Sequence, residues 1–128
     1  GVVHGLASII GGMYPIPHGV ICGSLLAPAV ELTINKLIKS ENNFEAINKY
    51  VKASKLMFNT DGLSDIEICK RFIEYINSLS SQLSMPFLSD FGVNRTFVER
   101  LPNENVNKNN PIQLNNDEIK LLLLKKIK

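Results

Sequence analysis

The first thirty residues, GVVHGLASIIGGMYPIPHGVICGSLLAPAV, contain no Asp, Glu, Lys or Arg; all 14 basic and 12 acidic residues follow, from Glu31 onward. A helix without a charged face must be covered on several sides, so this opening belongs to a core. The run is broken by six glycines and by Pro15, Pro17 and Pro28. A bilayer span needs about 20 continuous apolar residues, and a signal peptide needs a basic leader, so neither fits. His4 and His18 stand fourteen positions apart in this stretch, each followed by glycine. A buried imidazole nitrogen needs a partner, and a metal ion is one candidate.

The remaining composition bounds the fold. With 128 residues, 45% hydrophobic and 20% charged, the chain is expected to form one helical domain over 1–128. A net charge of +2 with scattered lysines argues against a nucleic-acid surface. Cys22 and Cys69 form no CxxC pair, which disfavours a disulfide framework or a cysteine zinc site and fits a cytoplasmic protein. Gly1 in place of Met fits a processed chain or a piece of a longer one.

Periodicity and punctuation predict helices throughout. Residues 2–10 read as a short buried helix closed by Gly11-Gly12. MYPIP at 13–17 is a constrained turn, and Pro17 opens a second helix that runs toward Ile38 with Pro28 bending it. Phe44, Ile47, Tyr50, Val51, Ser54, Met57 and Phe58 recur at near-helical spacing. Ser64 and Glu67 form a capping box for a helix over 65–82, with Ile68, Phe72, Ile73, Ile76 and Leu79 on one face. Leu88 to Val93 is a connection, and Arg95 to Leu101 a short helix. Residues 102–116, with seven asparagines and two prolines, read as a loop. The last helix begins near Asn116, has Asp117 and Glu118 in its first turn and Lys125, Lys126 and Lys128 in its last, and buries Leu121 to Leu124. No strand alternation or repeat is visible, so the fold class is all-α, a helical bundle.

By chemistry alone the two histidines have two readings: metal ligands, or buried rings hydrogen-bonded to backbone carbonyls. Fourteen residues is not a local ligand motif such as HExxH. Glycine costs a helix interior about 1 kcal/mol relative to alanine, so Gly5 and Gly19 hint at close approach of a backbone or ligand. Ser8, four residues after His4, faces a pocket or bonds the backbone at residue 4. Cys22, one turn after His18, either approaches a metal as a thiolate or is a small buried thiol.

The run His4-Gly5-Leu6-Ala7, Gly11-Gly12, Ile16-Pro17-His18-Gly19 and Leu25-Leu26-Ala27-Pro28 resembles the signature of the iron-containing (group III) alcohol dehydrogenases, approximately HGLAHPLG…IPHGxANAxLLP. The spacing of the two histidines is the same. Further on, Leu83-Ser84-Met85-Pro86, Leu88 and Phe91-Gly92-Val93 look like the family's lgiP…L…lGv connection. Asn110-Pro111 and Asp117-Glu118-Ile119 look like its NPR…eei lead into the C-terminal helix. The resemblance implies the helical C-terminal domain of the dehydroquinate synthase-like fold. It implies that His4 and His18 ligate a divalent iron or zinc ion, which as a Lewis acid polarises an alcohol or aldehyde oxygen. It further implies NAD or NADP held mainly by an N-terminal nucleotide-binding domain, a small alcohol or aldehyde substrate, and a homo-oligomer. No catalytic or nicotinamide-binding residue is assigned within these residues.

Some positions depart from the pattern. The family's other two ligands, an aspartate and a histidine in D-x-x-x-H, have no counterpart here, nor does its Gly-rich nucleotide motif. Ser8 replaces a second, non-ligand histidine, Cys22 an asparagine and Ile112 the arginine of NPR. Two ligands rarely hold a catalytic metal, so the 128-residue chain alone is expected to bind metal weakly and to lack dehydrogenase activity. The alternatives are a degenerate, non-catalytic helical interaction module, or a polyol or sugar-phosphate member such as glycerol dehydrogenase or dehydroquinate synthase, which LLxP after IPHG fits less well.

Overall fold

A computed structural model describes residues 1–101 and 106–128. The described residues form six α-helices and one 3-10 turn, with no strand among them. The all-α expectation holds. The helices are α1 (Val2–Met13), α2 (His18–Lys39), α3 (Phe44–Lys55), α4 (Asp65–Gln82), α5 (Arg95–Glu99) and α6 (Asn116–Leu124), with the 3-10 turn at Leu88–Phe91. Residues 102–105 of the expected loop lie outside the described residues.

α1 runs through Gly11-Gly12 rather than ending there. It stops at Met13 because Tyr14 precedes Pro15 and takes an extended conformation (φ −128°, ψ 143°), as clash with a proline ring demands. α2 starts one residue later than expected: Pro17 is its N-cap, and His18 is its first helical residue. Pro28 is buried inside α2, which continues past it to Lys39.

α2 is the spine, packing against α1, α3, α4 and α6. Its first half joins α1, α6 and the 3-10 turn in one core, which includes Leu6, Ile10, Ile21, Leu25, Leu88 and Leu122. Its second half joins α3 and α4 in another around Ile34, Val51, Ile68, Cys69, Phe72 and Ile76. α2 is long and apolar enough to cross a membrane, but half of its most apolar window is buried inside the molecule. A core helix passes that length test equally well.

The expected N-terminal cap of α4 forms, and α6 carries a second that was not expected. Ser64 and Glu67 close the box on α4, and Asn115 and Glu118 close one on α6. Burial departs from the predicted stripes at Phe44, Met57 and Leu121, which are exposed, and at Leu79, which lies at the solvent edge of its helix. Leu122 and Leu123 carry the buried side of α6 instead. Four consecutive leucines span more than one face of a 3.6-residue turn, so all four cannot point inward. The terminal lysines lie beyond the last helical residue, and Lys128 pairs with Asp90 at 2.9 Å.

The loop before α6 is tied to α1 at two points. A Cβ on Gly5 would lie 2.5 Å from the Val106 carbonyl oxygen, so only glycine admits this approach. The Val2 N–H donates to Asn110 Oδ1 at 3.2 Å, and buried Asn107 exchanges two bonds with the Leu114 backbone. Glu118 also accepts from Lys36 Nζ at 2.6 Å, linking α6 to α2.

Candidate metal centre

His4 lies in the first turn of α1, and His18 opens α2. A continuous helix would place residues fourteen apart about 21 Å from each other. Here the segment from Tyr14 to Pro17 leaves the helical conformation at both ends. Ile16 is buried in the first core, and the break lets α2 pack on α1, with Gly1–His4 facing Leu26, Ala29 and Thr33 and Gly11 facing Ile21, while the side chain of His18 reaches that of His4. The prolines at 15 and 17 hold that break because neither residue can continue a helix with its predecessor.

The result brings the two predicted ligands together. His18 Nε2 lies 3.2 Å from His4 Nδ1, and the rings stack with centroids 5.2 Å apart and an interplanar angle of 26°. Neither ring is buried in the core and, among the described residues, neither bonds a backbone carbonyl; both are exposed and face each other. The opening is a core stretch whose outward face carries the imidazoles.

Cys22, half-buried and one turn along α2, places its Sγ 3.5 Å from His18 Nε2. One donor atom from each of His4, His18 and Cys22 falls within a 4.8 Å span. The signal for Cys22 was present in the sequence as its four-residue offset from His18 on one helix face. Ser8 takes the backbone alternative: its Oγ donates to the His4 carbonyl at 3.0 Å. Of the two glycines beside the histidines, Gly5 serves the contact with Val106, whereas nothing lies within 4 Å of a Cβ built on Gly19. The Gly5 contact and the Val2–Asn110 bond flank His4 and fix the backbone that carries it.

The donor set suits a divalent transition ion. Two nitrogens on an ion at about 2.0–2.1 Å in tetrahedral array stand about 3.3 Å apart, close to the 3.2 Å seen here. Imidazole serves iron and zinc alike.

The sequence comparison settles the wider context. The model of the iron-containing alcohol dehydrogenase family, C-terminal part, matches residues 1–127. The chain belongs to this family. Within it, the chain is 34% identical over 94 residues to the 1,3-propanediol dehydrogenase of Citrobacter freundii, covering 73% of this chain and 22% of that protein. It is 24% identical over 106 residues to the choline dehydrogenase of Bacillus subtilis (strain 168), covering 81% of this chain and 24% of that protein. Among solved structures, a 1,3-propanediol oxidoreductase superposes with a TM-score of 0.76 at 27% identity, over 99% of this chain and 32% of its own. An alcohol dehydrogenase from Oenococcus oeni gives 0.74 at 28%, over 98% and 32%. This iron-containing alcohol dehydrogenase domain thus spans under a quarter of the length of the curated relatives named here, and the helical fold is that of the family's C-terminal domain.

Proposed function

We propose that this domain forms the metal-binding half of the active site of an NAD(P)-dependent alcohol dehydrogenase, acting on a small alcohol or aldehyde. The observation that carries the reading is the approach of His4 and His18 to 3.2 Å on an exposed face, within a chain matched by the family over 1–127. When bound, a divalent ion supplies Lewis-acid polarisation of the substrate oxygen and a nicotinamide supplies the hydride chemistry.

The work of this chain's residues is positional. His4 and His18 present ring nitrogens from two packed helices separated by the non-helical Tyr14–Pro17 segment. Packing of α1 on α2 fixes both backbones before any ion arrives, which limits the ordering cost of binding. The exposed face around them, with Ser8, Gly11, Gly12, Pro15, Pro17 and Gly19, carries no charge. Such a face suits coverage by a nucleotide-binding domain that contributes the D-x-x-x-H ligands. The same reading has the enzyme cytoplasmic and homo-oligomeric, and the 128-residue chain inactive by itself.

The experiment uses the full-length protein carrying this domain. His4→Ala and His18→Ala are each expected to strip the bound metal and to lower kcat/KM by about a thousandfold or more, since the ion supplies several kcal/mol of transition-state stabilisation. Unchanged metal content in both variants refutes the site. A wild-type protein that binds neither metal nor nicotinamide points instead to a non-catalytic interaction module.

A further inference from the structure

We propose that Cys22 Sγ is a third donor from this chain to the ion held by His4 and His18, making a mixed nitrogen–sulfur half-site. The inference rests on the histidine assignment above and adds a ligand at a position where the family signature carries asparagine.

The geometry is set by one helix. Cys22 follows His18 by four residues on α2, so both side chains leave the same face, one turn apart. Their donors are 3.5 Å apart. Nitrogen at about 2.0–2.1 Å and sulfur at about 2.3 Å on one ion stand about 3.1–3.6 Å apart at angles of about 90–110°, a range that also holds for the five donors that the D-x-x-x-H pair would complete. The two separations His4–His18 and His18–Cys22 thus both match edges of one coordination polyhedron, with His18 Nε2 as the shared vertex. The third edge lies within the 4.8 Å span of the set. It closes by rotation of the His4 ring, which is exposed and free of core packing.

A thiol–imidazole hydrogen bond has the same length, and it gives Cys22 no metal-dependent property. The other cysteine, Cys69, is buried in the second core among Ile68, Phe72 and Ile76 and supplies an internal control. On binding, Cys22 coordinates as the thiolate and its proton passes to water. A sulfur donor tilts the half-site toward zinc or cobalt and away from harder ions such as manganese.

The test loads the full-length protein with cobalt(II) and records its near-ultraviolet and visible spectrum. A sulfur-to-cobalt charge-transfer band is expected in the wild type and in Cys69→Ser, and its loss is expected in Cys22→Ser and Cys22→Asn. Cobalt affinity in the two Cys22 variants should fall about ten- to hundredfold, the range that even an outer-shell partner commands, while circular dichroism stays that of the wild type. Cobalt binding that depends on His4 and His18 but shows no sulfur band overturns the role of Cys22 and leaves the histidine site standing. A band that survives in Cys22→Ser overturns it as well. Cobalt uptake that is absent, or indifferent to His4→Ala and His18→Ala, overturns both readings.

Discussion

The two cores along α2 are built differently. The second is local: α2, α3 and α4 are consecutive in the chain and close on themselves around Ile34, Val51, Ile68 and Phe72. The first gathers residues from both ends of the sequence, with Val2, Leu6 and Ile10 packed in one cluster with Leu88, Val106, Leu114 and Leu123. The histidine pair sits on the rim of this long-range core. The lesson is a division of labour: one half of the bundle supplies stability from nearby sequence, and the other uses distant contacts to hold two helices so that His4 meets His18.

Four substitutions test that division, in descending order of expected effect. Phe72→Ala should lower unfolding stability by about 3–5 kcal/mol in chemical denaturation. Under native conditions it should leave cobalt affinity unchanged. Leu25→Ala, wholly buried in the first core, should cost about 2–5 kcal/mol and weaken cobalt binding too. Equal effects of the two on the metal would erase the distinction between the cores.

Gly5→Ala is the sharper probe. Helix propensity alone favours alanine by about 1 kcal/mol. The Val106 backbone cannot yield to a Cβ at 2.5 Å, and overpacking of this kind costs about 1–3 kcal/mol. Net destabilisation is expected, with reduced metal affinity because His4 is the adjacent residue. A stabilised variant would show that the α1–loop contact does not position the site. Ser64→Ala, at the α4 capping box, should lose about 1 kcal/mol with no effect on the metal.

The smallest effect is a pH dependence at the joint between α2 and α6. Burial acts to raise the Glu118 carboxyl, but the bonds from Lys36 and from the Asn115 backbone outweigh it and hold the group below its ordinary value. A carboxyl lowered on folding stabilises the native state above its unfolded pKa, about 4.3, and that contribution fades as pH falls through the lowered folded value. Lys36→Met should therefore flatten the loss of stability below about pH 4.3, by under about 1 kcal/mol given the partial exposure of the pair. An unaltered acid profile would remove this pair from the account of α6 docking.

Legibility followed contrast in the sequence. α4 was readable to the residue because polar and apolar side chains alternate at helical spacing and Ser64 and Glu67 mark its start. α3 was readable in extent but not in burial, since Phe44 matches the stripe and yet projects at the helix end with 83% of its surface exposed. In the first thirty residues there is no polar contrast, so periodicity could not tell which face of α1 looks outward. The glycine pair looked like a stop and was traversed, while the proline two residues after Met13 ended the helix. For the site, the pattern around His4 and His18 marked both residues through family resemblance, whereas Cys22 remained open between thiol and ligand.

By itself, then, the sequence determined the helices, their caps and breaks, and the two imidazoles, because these depend on neighbours within about one turn. The tertiary structure alone decided that the rings face each other at the surface, with Cys22 Sγ 3.5 Å from His18 Nε2 and Gly5 pressed on Val106. Those relations depend on how α1 packs on α2 and on a loop a hundred residues away, and no local pattern encodes a distance between helices.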